Sequence, residues 1–308
     1  MTSSPEHDTN PQPGIGTSTV TAPPPVLRFA PSPNGELHLG HALSALTGYA
    51  MAKRLDGRFL LRIEDIDLDR CRPEYVDGIF RDLKWLGITW QEPVWRQSER
   101  FAEYQDAART LQAQGLLYPC FATRSEIQAA ARPGALDPDG APLYPGLHRH
   151  LNLADIARRT AAGEPFAMRI DMAAACRRGA ATPLTYVALD QALQPAPVVA
   201  DPARWGDAVI QRKDVPTSYH LAVVVDDAAQ GVTHVVRGAD LLAATDLHVL
   251  LQALLRLPTP CYHHHRLLTD AAGRKLAKSF GDTSLRQLRD SGLRPDRLRQ
   301  MIGLAPDG

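Results

Sequence analysis

The chain of 308 residues is 44% hydrophobic and 22% charged, the make-up of a globular protein able to bury one large core or two modest ones. Its 34 Lys and Arg balance 34 Asp and Glu, so the overall field neither suggests nor excludes nucleic acid, and a polyanion would need a local basic face. The absence of any run of about 18 apolar residues argues against a membrane-spanning helix, and Cys71, Cys120, Cys176 and Cys261 lack paired spacing, as expected of reduced cytoplasmic thiols.

Residues 1–25 are dominated by Ser, Thr, Pro and Gly with no apolar signal core, and read as a disordered leader. VLRFA, from Val26, reads as a buried strand. Leu39, Ala42, Leu43, Leu46 and Ala50 then recur at helical spacing, and RFLLRIEDID (58–67) gives a second strand. A strand, helix, strand unit of this kind closes right-handed with parallel strands. Residues 73–117 read as helical, through IFRDLKWLGI and ERFAEYQDAARTLQAQG, completing a first catalytic segment over 26–117.

An insertion is expected over 118–200, its first part (118–150) rich in Gly, Pro and Ala and poor in regular structure. LAVVVDD (221–227) and VTHVVRG (232–238) read as strands joined by AAQG, within a second catalytic segment over 201–260 that ends in the helical ADLLAATDLHVLLQALLRL. Residues 261–308 form a lysine-bearing loop and a short helical tail. Strands at both ends with helices between them predict an α/β fold: a Rossmann-like parallel sheet carrying an inserted subdomain. Ligands of such sheets sit beyond the carboxyl ends of strands, where the loop after VLRFA lies.

That loop, FAPSPNGELHLGHA, holds His38 and His41 three apart at a helix start, where free N–H groups and the helix dipole favour anions. Neutral imidazoles there would each donate one hydrogen bond to a phosphate oxygen, and the bare Gly40 would let a flat base lie against the backbone. By itself H-x-G-H equally describes two surface histidines. GRKLAKS supplies the support, with Lys275, Lys278 and Ser279 able to close over a triphosphate.

PSPNGELHLGH and KLAKS resemble the two signatures of class I aminoacyl-tRNA synthetases, and RFAPSPNGELHLGHA, RIEDID, YHLAVVVDD and VVRGADLL in this order resemble the glutamyl branch. The resemblance implies ATP with Mg2+, and a first step in which the glutamate α-carboxylate attacks the ATP α-phosphorus. His38, His41, Lys275 and Lys278 would stabilise the charge of that transfer, with Gly40 and Ser279 also at the nucleotide. It implies a glutamate pocket of Arg28, Phe29, Ala30, Pro31, Ser32, Glu64, Tyr219 and Arg237: Arg28 toward the side-chain carboxylate, Ser32 and Glu64 toward the α-ammonium, and Tyr219 and Arg237 completing the wall.

Only residues 280–308 follow the lysine loop, so no anticodon-reading helical domain is expected. This architecture is similar to the glutamyl-Q tRNA(Asp) synthetase family, which implies glutamate activation without tRNA, transfer to queuosine at the wobble position, docking of the tRNA(Asp) anticodon stem-loop on the catalytic face, and a monomer. The alternatives are a truncated glutamyl-tRNA synthetase charging tRNA(Glu) and a noncatalytic relative binding amino acid or nucleotide. The family insertion often holds zinc through a Cys-x-Cys pair, a tyrosine and a later cysteine. Here Ala122 and His148 replace two of these, leaving Cys120, Tyr144 and His148, so loss of the zinc is expected, a His-substituted site being the alternative. His263 to His265 would alternate faces on a strand and so not share one ion, and read as structural or exposed.

Overall fold

The computed structural model describes residues 23–179, 183–268 and 283–305. Most of the expected leader, residues 1–22, lies outside the described residues, and so do Lys275, Lys278 and Ser279.

The chain opens as the hydrophobic pattern predicts, with β1 (Val26–Phe29), α1 (Leu39–Arg54) and β2 (Arg58–Ile63). α2 (Pro73–Trp85), β3 (Gln91–Arg96) and α3 (Phe101–Ala113) follow. β3 corrects the reading of 73–117 as helical throughout. It is an edge strand with Pro93 inside it and half its residues exposed, so it lacks the apolar run that signals a buried strand. β4 (Leu117–Cys120), α4 (Arg124–Ala130), α5 (Leu153–Ala161), β5 (Ala167–Ile170) and α6 (Met172–Gly179) come next, then the hairpin of β6 (Thr185–Leu189) and β7 (Pro195–Val199) and the short β8 (Val209–Gln211). The last third holds α7 (Tyr219–Ala229), β9 (His234–Gly238), α8 (Ala244–Leu255), β10 (Cys261–His265) and helices over Leu285–Asp290 and Pro295–Met301.

Seven strands form the main sheet in the order β3-β2-β1-β9-β10-β6-β7, parallel except for β7. A separate antiparallel sheet, β4-β5-β8, carries the inserted region. Within the residues expected as an insertion, 118–200, β6 and β7 extend the main sheet through the pairing of Ala188 with Tyr262, while β8, beyond residue 200, pairs with β5 in the smaller sheet.

The segment LAVVVDD is helical, within α7, and not the strand its Val content suggested. Leu221 to Val224 are all buried, and a helix covered on most sides shows no amphipathic period, so a short apolar run cannot tell the two structures apart. Ser218 supplies the helix start that the Val run obscures, its hydroxyl accepting from the Leu221 N–H at 3.4 Å.

Strand alternation then decides what reaches each face. Leu27 and Phe29 of β1, with Phe59, Leu61 and Ile63 of β2 and Val236 of β9, pack under α1, α2 and the C-terminal helices. The intervening residues Arg28, Arg62 and Arg237 are thereby sent to the opposite face, where α7 and α8 lie over a second core containing Leu221, Val224, Leu247 and Leu250. β1 and β9 are parallel neighbours that lead away in opposite directions across the sheet, so the crevice at their carboxyl ends is the topological switch point. No helix among the described residues is long and apolar enough to cross a membrane.

Candidate active site

A cavity of ≈ 810 Å³ opens at this switch point. Its wall includes Arg28, Phe29, Ala30, Pro31 and Ser32 from β1 and the loop after it, His38, Gly40 and His41 at the start of α1, Glu64 after β2, Tyr219 at the start of α7, and Arg237 near the end of β9. All the sequence-predicted site residues that lie within the described residues thus line one space. The Glu64 N–H donates to the Pro31 carbonyl at 3.0 Å, which ties the end of β2 to the loop carrying Ser32.

The two imidazoles cap α1 reciprocally. His38 Nδ1 accepts from the Gly40 N–H at 3.1 Å, and His41 Nδ1 accepts from the His38 N–H at 3.2 Å, with ring centroids 3.9 Å apart. An Nδ1 that accepts carries no proton, so each neutral ring has its hydrogen on Nε2, ready for an anion. Burial lowers both pKa values, that of His41 to about 3, where His38 adds to the fall and Asp240 opposes it. Gly40 also has a structural use: a Cβ there would meet His38 Cε1 at 3.0 Å and Nδ1 at 3.1 Å. The glycine leaves room for the imidazole to fold back over the helix end.

Arg28 is held by Asp227 of α7, with Nε to Oδ1 at 2.9 Å and Nη2 to Oδ2 at 3.1 Å. That bond uses one edge of the guanidinium and leaves Nη1 and the second Nη2 hydrogen available. Arg62, fully buried, donates through Nη1 to Asp227 Oδ1 at 2.8 Å and through Nη2 to Glu64 Oε1 at 3.0 Å. Burial pushes the Glu64 carboxyl up more than Arg62 and Arg28 pull it down. Burial would do the same to Asp227, yet its two arginines prevail and hold it below the usual carboxylate range.

Arg237 has a different environment. Its Nε donates to His264 Nε2 at 3.3 Å, Nη1 pairs with His248 Nδ1 at 3.1 Å, and Nη2 donates to Thr245 Oγ1 at 2.7 Å. These acceptors are neutral. Burial followed by the Arg237 charge drives the His248 pKa well down and that of His264 to about 3. Arg237 is therefore a buried cation with no carboxylate partner among the described residues, an arrangement that costs free energy until an anion arrives.

Residues 26–305 match the family described as tRNA synthetases class I (E and Q), catalytic domain. This chain belongs to that synthetase family. It is 45% identical over 290 residues to a glutamyl-Q tRNA(Asp) synthetase of Rhodobacter capsulatus, covering 91% of this chain and 100% of that protein. It is 38% identical to glutamate–tRNA ligase 1 of Paracoccus denitrificans over 89% of its own length, but spans 59% of that protein. The crystal structure of a glutamate tRNA ligase from Elizabethkingia meningosepticum in complex with its amino acid superposes with a TM-score of 0.69 at 25% identity, the match covering 91% of this chain and 60% of that one.

In this synthetase the flanks of the lysine segment meet the cavity even though Lys275, Lys278 and Ser279 are outside the described residues. Leu268 and Thr283 both line the wall, Ser284 bridges to His38, and the Leu285 N–H donates to the Leu37 carbonyl at 2.7 Å. A second cleft of ≈ 660 Å³ adjoins the first through Ser32, Glu64 and Tyr219, and is walled on its far side by Arg124, Tyr144 and Arg169 of the inserted region.

The insertion's residues do not fit a zinc site. Cys120 donates its thiol to the Tyr144 hydroxyl at 3.3 Å, and that hydroxyl also accepts from the His148 N–H at 2.9 Å. His148 Nδ1 accepts from the Phe121 and Ala122 N–H groups, both at 3.1 Å, so its lone pair is committed, and Ala122 offers no donor atom.

Sequence reasoning missed Arg62, Asp227, His248 and His264. Asp226 and Asp227 were hidden by the strand reading of their segment. The period-2 signal in HHH did separate the faces: His263 and His265 are buried on one side and His264 meets Arg237 on the other, so the run is structural and not exposed.

Proposed function

We propose that this protein activates glutamate with ATP to glutamyl-adenylate and transfers the glutamyl group to queuosine of tRNA(Asp). The observation that carries the amino-acid half is the set of charges lining one cavity, two cations, Arg28 and Arg237, with one carboxylate, Glu64. Glutamate offers its complement, two carboxylates and one ammonium. Arg28 takes the side-chain carboxylate with the guanidinium edge that Asp227 leaves available, Ser32 and Glu64 receive the α-ammonium, and Tyr219 with Arg237 closes the pocket.

In the reaction an α-carboxylate oxygen bonds to the α-phosphorus as the bond to the bridging oxygen breaks, and that oxygen leaves with pyrophosphate. No general base is needed. His38 and His41 donate from Nε2 to phosphate oxygens as charge builds, while Lys275, Lys278 and Ser279 act on the leaving group. Mg2+ would enter on the phosphates of ATP and offset their charge.

The acceptor half is supported by the full-length similarity to a glutamyl-Q tRNA(Asp) synthetase. In the second step the queuosine acceptor would occupy the adjoining cleft, attack the adenylate carbonyl and release AMP. The anticodon stem-loop of tRNA(Asp) would meet this face of a monomeric, cytoplasmic enzyme whose insertion stands without zinc. The test is ATP-dependent attachment of labelled glutamate to tRNA(Asp) with and without queuosine. Label only on the modified tRNA is expected. Equal labelling of both, abolished by periodate oxidation of the terminal ribose, would instead make this a 3′-charging ligase, and no glutamate-dependent pyrophosphate exchange would leave a noncatalytic binding protein.

A further inference from the structure

The environment of Arg237 has a consequence beyond its contact with substrate. A guanidinium has five N–H donors, and His264, His248 and Thr245 take one each from Nε, Nη1 and Nη2. What remains is one hydrogen on each terminal nitrogen, the number a carboxylate can accept in bidentate fashion.

The hydrogen-bond directions behind Arg237 follow from the atoms involved. Arginine cannot accept, so His248 Nδ1 must, and the neutral ring carries its proton on Nε2. That Nε2 lies 3.2 Å from His220 Nδ1, which is therefore an acceptor, placing the His220 proton on its own Nε2. His248 is almost wholly buried, with 1% of its surface exposed, and His220 is a wall residue of the second cleft. The rings of His248, His220 and Tyr219 pack within 5.7 Å of one another and fix the plane of each imidazole.

We propose that His248 is a positioning residue for Arg237, and that Arg237, His248 and His220 form a one-way hydrogen-bond relay that orients this arginine without neutralising it. The inference deepens the glutamate-activation reading and rests on it for its kinetic consequence. A carboxylate in the place of His248 would orient Arg237 equally well, but would compete with the substrate for its charge. A neutral acceptor anchors one nitrogen and leaves the attraction for an anion intact. Burial and the neighbouring Arg237 keep His248 and His220 from protonating, which would break the relay at its first or second bond. The relay also leaves His220 Nε2–H as a donor on the second cleft.

The test compares His248→Leu, which removes the acceptor, with His248→Gln, whose amide oxygen restores one, in the full-length enzyme. Glutamate-dependent ATP–pyrophosphate exchange should show the glutamate KM of H248L raised about tenfold or more, as for loss of a hydrogen bond to a charged group, with the ATP KM and kcat little changed. H248Q should return the glutamate KM to within about threefold of wild type. Unchanged glutamate KM in a folded H248L, or a fall in kcat alone, would overturn the positioning role. Histidine 15N NMR of the wild-type protein at pH 7, with the His248 signal assigned by its loss in H248Q, decides the relay without any substrate. An Nε2-protonated ring is expected, and a proton on Nδ1 refutes the relay. Absence of exchange in the wild-type enzyme would count against glutamate activation itself, while the tautomer measurement would still decide the relay.

Discussion

Asp227 accepts from Arg28 through both carboxylate oxygens, at 2.9 and 3.1 Å, and shares one of them with Arg62 at 2.8 Å. One buried carboxylate on α7 therefore fixes two arginines that strand alternation has sent to the same face of the sheet.

Replacing it should be costly twice over. Asp227→Asn keeps the shape but leaves Arg28 and Arg62 buried without full compensation, at about 3–5 kcal/mol for breaking a buried ion pair. Urea unfolding should report that loss, and the glutamate KM should rise because Arg28 loses its orientation. A variant as stable as wild type would show that the pair contributes no net stability.

The helix cap at His38 makes a sharper prediction about a glycine. In Gly40→Ala the new Cβ would stand 3.0 Å from the His38 ring and push it aside by a few tenths of an ångström. Alanine's better helix propensity offsets the weakened cap, each effect being at most about 1 kcal/mol, so the melting temperature should move little. The ATP KM in pyrophosphate exchange should rise, because the shift takes His38 Nε2 off its line to the phosphates. An unchanged ATP KM would remove His38 from the nucleotide site.

Stability should fall on mild acidification. Burial lowers the pKa of His41 and His264 to about 3, and that of His220 to about 4. In the unfolded chain each returns to about 6.5, so below that pH the unfolded state binds more protons and stability drops as pH falls toward the folded values. The contribution is fully present above about pH 6.5. Each imidazole can cost up to about 2 kcal/mol between pH 7 and pH 5. Asp227, with its pKa depressed, adds a loss only at lower pH, below the unfolded carboxylate value of about 3.9. Denaturant midpoints measured from pH 8 to 4 check this, and a flat profile between 7 and 5 would contradict neutral buried imidazoles.

The insertion is expected to be stable to chelation. EDTA should leave the melting temperature unchanged and purified protein should contain no stoichiometric zinc by mass spectrometry. His148→Ala, which strands the Phe121 and Ala122 N–H groups, should cost about 1–3 kcal/mol. Stoichiometric zinc would mean that the hydrogen-bonded knot rearranges around a metal.

The sequence alone determined the helix-start end of the cavity and the first parallel unit. The helix start at His38, the Gly40 that follows it and the apolar spacing of α1 are local features, encoded within a few residues of one another. It also placed Arg28 and Arg237 on strands, where alternation fixes their face. It could not separate a covered helix from a strand at LAVVVDD, because burial on most sides erases the period that distinguishes them. The edge strand β3 escaped for the complementary reason: a half-exposed segment containing Pro93 has no apolar run to announce it. Only the tertiary structure decided that Asp227 clamps Arg28, that His248 and His264 surround Arg237 with neutral acceptors, and that the β6–β7 hairpin joins the main sheet. Those relationships join residues far apart in the chain, and their partners are chosen by strand order and helix docking, which no local spacing records.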